Sequence, residues 1–98
     1  MHDVNVKYKT FFSYVVEWSV VSFKKECAGT EIFVGNFANI GHCADACQKK
    51  SSMFIHGRKT ENENACFCET SSLKDGTCKQ IDNSNYNLYR YGPTKGKL

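Results

Sequence analysis

No stretch of this 98-residue sequence is both long enough and apolar enough to cross a bilayer. The longest apolar run, Phe11 to Phe23, is broken by Glu17 and by Ser13, Ser19 and Ser22. That run also lacks the small-residue cleavage site of a secretory leader, so the chain is expected either to have lost a leader or to gain disulfides by another route. The sequon Asn-x-Ser/Thr is missing too, and N-glycosylation therefore lends no support to secretion. Basic residues never run for more than two positions, at Lys24-Lys25, Lys49-Lys50 and Arg58-Lys59, and the net charge is only +3. Without a continuous basic stripe, no nucleic-acid partner is expected. Internal repeats and low-complexity segments are absent as well.

The sequence does have cysteine, at positions 27, 43, 47, 66, 68 and 78. The length suits one domain and is too short for two. A single core of this size is marginal unless something staples it. An even, dense set of six cysteines supplies the staples and points to an oxidising compartment.

Periodicity predicts the elements. Phe12, Tyr14, Val16, Trp18 and Val20 alternate with Ser13, Val15, Glu17 and Ser19, so the first 26 residues read as strand. The even face should be buried, Trp18 with it. The odd face, with Phe11, Val15, Val21 and Phe23, has no obvious cover and is expected to meet a partner. Thr30 to Gly35 reads as a second strand. A helix follows over about Ile40 to Lys50, with Asn39 as N-cap and Lys49-Lys50 suiting its negative end. Met53 to Gly57, Ala65 to Glu69 and Tyr86 to Tyr91 read as further strands. The charged stretch Arg58 to Asn64 reads as a hairpin loop and Ser71 to Gly76 as a turn-rich loop. The fold class is therefore α+β, a single helix packed on an antiparallel sheet.

The cysteine spacing is the most specific signal. Cys43 and Cys47 share one helix face, about 6 Å apart along the axis. Cys66 and Cys68 share one strand face, with about 6.8 Å of rise between them. A helix laid along that strand can be stapled by two parallel disulfides, and the spacing leaves both pairings open. Cys27 and Cys78 remain and pair by elimination, closing the longest loop for roughly 4 kcal/mol in the chain-entropy model.

The run Ile32-Phe33-Val34-Gly35, the helix Cys43-Ala44-Asp45-Ala46-Cys47, the strand Met53-Phe54-Ile55-His56-Gly57 and the cysteine-bearing strands after it resemble the PAN/Apple domain family. The strand Cys66-Phe67-Cys68-Glu69 is more distantly similar to WSC domains. The PAN/Apple resemblance implies nested helix-to-sheet disulfides, Cys27–Cys78, Cys43–Cys68 and Cys47–Cys66, and a role in adhesion or recognition. The sequence departs from the family near Met53, where members usually carry a cysteine. The organisation read from this is an N-terminal strand segment over 1–26, serving assembly or the sheet, a PAN/Apple-like disulfide-rich domain over 27–91, and a tail over 92–98.

Catalysis and metal binding fit poorly. A four-thiolate zinc site, with His42 and His56 as spare ligands, would break the usual C-x-x-C knuckle pattern and leave two cysteines without a role. A nucleophilic cysteine needs a free thiolate beside a base, and all six cysteines have plausible partners. No enzymatic activity, cofactor or metal is expected. Tyr89, Arg90 and Tyr91 are candidates for a contact patch, since Tyr and Arg are enriched at hot spots. Two functions follow. One is a non-catalytic extracellular module that recognises protein or glycan. The other is a small structural subunit of a large assembly, such as a minor capsid protein of a virion or an extracellular filament, with other subunits as partners.

Overall fold

The computed structural model describes residues 16–57 and 63–92. It contains strands β1 (Trp18–Cys27) and β2 (Ile32–Asn36), helix α1 (Ile40–Cys47), and strands β3 (Met53–Gly57), β4 (Ala65–Cys68) and β5 (Gln80–Tyr91). The strands form one antiparallel sheet in the order β1-β5-β3-β4-β2. One helix packed on this sheet is the α+β architecture that the periodicity predicts.

The helix begins where its cap dictates. Asn39 is extended, and its side-chain oxygen accepts from the Gly41 N–H. The helix ends at Cys47, three residues earlier than expected. Lys50 N–H bonds to the Cys47 carbonyl, which tightens the chain into a turn and leaves Lys49 and Lys50 outside the helix.

Strand β3 lies at the centre of the sheet and is buried along its whole length. Its apolar run Met-Phe-Ile serves both faces. Phe54 faces the helix in a cluster with Cys43, Ala44, Cys47, Cys66, Cys68 and Tyr89. Its ring lies nearly parallel to that of Tyr89, with centroids 5.3 Å apart. Met53 and Ile55 face the other way, into a cluster with Cys27 and Leu88 that Val21, Phe67, Cys78 and Tyr86 close in. At the end of the strand, the Tyr86 ring occupies the space that a Cβ on Gly57 would need, at 2.3 Å.

Several expectations need correction. Strand β1 is paired with β5 from Trp18 to Cys27, so the boundary between 26 and 27 falls inside a strand of the domain's own sheet. The face assignment of β1 is also changed. Val21, on the odd face, packs against the Met53–Ile55–Leu88 cluster of the domain's own core, and a register shift falls between Val20 and Ser22. Trp18 and Val20, which the alternation buries, are instead 36% and 38% exposed, because β1 is an edge strand. Strand β2 begins two residues later than expected, at Ile32. Strand β5 begins six residues earlier, because Gln80, Ile81 and Asp82 pair with the end of β1 despite their polar setting. Residues 58–62 of the expected hairpin loop, and the tail beyond Gly92, lie outside the described residues.

Candidate binding groove

All six cysteines are bonded: Cys27 to Cys78, Cys43 to Cys66 and Cys47 to Cys68. The outer bridge is the expected one. The inner pairs are the reverse of those the family resemblance implies. The physical reason is direction: α1 and β4 run the same way, so the first cysteine of the helix meets the first of the strand. The four inner sulfurs are thus committed to disulfides and offer no thiolate set for zinc.

The Cys47–Cys68 bridge also shapes the surface. Cys47 ends α1, and Cys68 ends β4. With their Cα atoms 5.3 Å apart, the bridge ties together the segments that leave both elements. Between those segments lies an open groove of about 870 Å³. One wall is the turn Gln48 to Ser52, and the other runs from Thr70 to Gly76. Tyr91 and Gly92, at the end of β5, complete it with Val16 and Glu17.

The far wall is fixed by its own bonds. Ser72 N–H and hydroxyl both donate to the Glu69 carbonyl, and Gly76 N–H donates to Leu73. The Ser52 hydroxyl donates to the Leu73 carbonyl and lies 3.0 Å from the Ser72 hydroxyl, joining the two walls. Arg90 donates to the Gly76 carbonyl at 3.2 Å. Ser51 donates to the Met53 carbonyl at 2.6 Å. These hydroxyls are occupied in building the groove. What the groove presents to a ligand is charge: exposed Lys49, Lys50 and Lys74 against Glu17 and Asp75. Asp75 is itself engaged by the Thr77 hydroxyl at 2.6 Å.

The residues expected to bind are scattered. Phe11 and Val15 lie outside the described residues. Val21 is half-buried against the core. Phe23 is 68% exposed on the edge strand. Tyr89 is buried under the helix, so the contact patch expected of Tyr89, Arg90 and Tyr91 does not form. Arg90 supports the groove wall from behind, and only Tyr91 reaches the groove. The Tyr91 hydroxyl donates to the Ala44 carbonyl, and burial, with Asp45 nearby, pushes its pKa well above the usual tyrosine range. His56 is buried with Nε2 2.7 Å from the Phe37 carbonyl, and His42 is exposed beside the Phe37 ring. In the sequence, Lys49, Lys50 and Lys74 carry no site signal, since the Lys49-Lys50 doublet reads as helix-end charge.

No family model, no curated protein and no solved structure matches the chain. Among the described residues, no helix is long and apolar enough to cross a membrane. Three disulfides suit a secreted or otherwise oxidising environment.

Proposed function

We propose that the chain is a non-catalytic recognition module of PAN/Apple-like kind, and that its groove takes an acidic partner, a glycan or an acidic protein segment. One observation carries this reading: Lys49, Lys50 and Lys74 come from two segments that a disulfide holds on opposite sides of one groove. Cations fixed around a concavity attract and orient an anionic ligand. A non-catalytic role agrees with the chemistry present. The cysteines are bonded, and His56 is turned to a backbone carbonyl.

The test is calorimetric titration with sulfated or uronic-acid oligosaccharides and with acidic peptides, using neutral sugars as control. Saturable binding is expected for one acidic class. Lys49→Glu, Lys50→Glu and Lys74→Glu together should abolish it without moving the melting temperature. Binding that survives the triple exchange, or is equal for neutral sugars, overturns the reading.

A second reading, a structural subunit of an assembly such as a capsid or filament, is favoured by the sheet edges. Strand β1 carries exposed Phe23, and strand β2 carries Ile32 and Phe33, 46% and 55% exposed. Exposed apolar edge strands invite pairing. Concentration-dependent association in sedimentation velocity, lost on Phe23→Lys or Phe33→Lys, would favour it. A monomer at all concentrations would remove it.

A further inference from the structure

Away from the groove, three glutamates from three separate segments converge. Glu26 is the penultimate residue of β1, Glu31 lies in the loop leading to β2, and Glu69 directly follows β4. One carboxylate oxygen from each lies within 4.8 Å of the other two. Glu69 is completely buried. Its Oε2 accepts the Cys27 N–H at 2.8 Å, while its Oε1 has no hydrogen-bond partner. Buried polar atoms are rarely left so, because each orphan costs the desolvation it has suffered.

The surrounding chain holds these carboxylates in place. Gly29 has φ +115°, and a Cβ there would meet the Ser71 Cβ at 2.7 Å, so only glycine lets the 28–31 loop come this close. Ser71 then bonds both sides of that loop, its hydroxyl to the Ala28 carbonyl and its N–H to the Thr30 carbonyl. The Thr30 and Thr70 hydroxyls bond at 2.8 Å. The Cys27–Cys78 bridge pins the end of β1. Three carboxyl groups are thus fixed together.

Little positive charge answers them among the described residues. Lys25 pairs with Asp82 at 2.6 Å, and Glu26 accepts from the neutral Asn83 amide at 3.0 Å. Burial raises the Glu69 pKa, with the Glu31 and Glu26 charges adding to it against the Cys27 N–H. Glu31 is raised by burial and by Glu26.

We propose that Glu26, Glu31 and Glu69 form a divalent-cation site and that the ion it takes is calcium. The donors are all carboxylate oxygens, with no imidazole or thiolate in the cluster, which suits a hard cation. Oxygens around one calcium, at about 2.3–2.6 Å from it, lie no more than about 5 Å apart, and the cluster falls inside that span. Glu69 forms the buried base of the site and supplies the orphaned oxygen. Glu31 is exposed, so the site opens to solvent on that side and has room for water ligands. A bound ion would join β1, the 28–31 loop and the end of β4, beside the outer disulfide.

The competing arrangement is a proton shared among the carboxyl groups. Calcium titration by calorimetry, on oxidised and chelator-treated protein at neutral pH, separates the two. One calcium per chain is expected, with a dissociation constant of about 1 mM or tighter, as in extracellular calcium modules. Melting temperature should rise with calcium. Glu69→Gln, which keeps the shape and removes the charge, should abolish binding. Glu31→Gln, at the exposed mouth, should weaken it at least about tenfold, since ligand charge count sets affinity in such sites. Glu31→Gln should leave the melting temperature in chelator unchanged or higher, so it stays informative if the buried variant does not fold. No saturable uptake at about 5 mM calcium, or equal uptake by wild type and Glu31→Gln, overturns the site.

Discussion

Tyr91 donates its hydroxyl to the carbonyl of Ala44, tying the last residue of β5 to the middle of α1 across 47 positions of chain. The ring lies against Phe54, with centroids 5.3 Å apart, so the same side chain fills space under the helix and satisfies a backbone oxygen. Removing only the hydroxyl isolates the second role. Tyr91→Phe should lower stability by about 1–2 kcal/mol, since the carbonyl of the buried Ala44 loses its donor while the ring packing is kept. Urea denaturation followed by circular dichroism measures this. An unchanged midpoint would show that water replaces the hydroxyl without cost.

Non-reducing peptide mapping should recover Cys43 with Cys66 and Cys47 with Cys68. The crossed pairs would require α1 and β4 to run in opposite directions. Replacing Cys27 and Cys78 together by alanine should cost about 4 kcal/mol, the loop-closure value for a bridge of this span. A loss of under about 1 kcal/mol would mean that the unfolded chain is restricted by other means.

In the presence of chelator, stability should fall as pH rises from about 4.5 towards 8. Burial, reinforced by the nearby Glu31 and Glu26 charges, pushes the folded-state pKa of Glu69 from 4.5 up to about 8. Below 4.5 both states hold the proton, and Glu69 contributes no pH dependence. Between the two values the unfolded chain releases the proton more readily, so rising pH favours unfolding. Above about 8 the contribution levels off. The measurement is melting temperature against pH for wild type and Glu69→Gln. The variant should lose most of the slope over that window, and a wild-type melting temperature that climbs through it would contradict the assignment.

Val21 and Phe23 should respond in opposite ways to the same substitution. Val21→Lys places a charge against Met53, Ile55 and Leu88 and should cost about 2–3 kcal/mol. Phe23→Lys, at a side chain 68% exposed, should stay within about 0.5 kcal/mol of wild type. Thermal melts of the two variants give the comparison. Equal losses would mean that Phe23 is covered as well.

Local signals in the sequence foretold local structure. Asn39 marked the start of the helix, and Met53 to Gly57 read as a strand, although its burial on both faces came only with the structure. The cysteine spacing showed which helix meets which strand, because 43–47 and 66–68 span nearly equal distances. A distance has no sign, however, so the spacing left the direction of α1 relative to β4 undetermined, and with it the inner pairing. The shift at Val21 was hidden for a related reason. Val20 and Val21 are both apolar, so the sequence does not mark which of them meets the core, whereas the pairing of β1 with β5 does. The groove was half visible in Lys49-Lys50, but Lys74 reaches it only through a loop fixed by Ser52 and Arg90. Glu26, Glu31 and Glu69 share no local pattern and meet only because Gly29 brings their loops together.

The two inner bridges join the same helix to the same strand, and this makes them mutually redundant. Once either has formed, the remaining two sulfurs are held close together at high effective concentration, and the second closure adds little further restriction to the unfolded chain. A reductant that opens one bridge leaves its thiols beside each other, ready to close again. Release of the helix then requires both bridges to be open at once. Loss of α1 should therefore depend on reductant concentration with an order above one, while the outer Cys27–Cys78 bridge, which has no such duplicate, opens by itself.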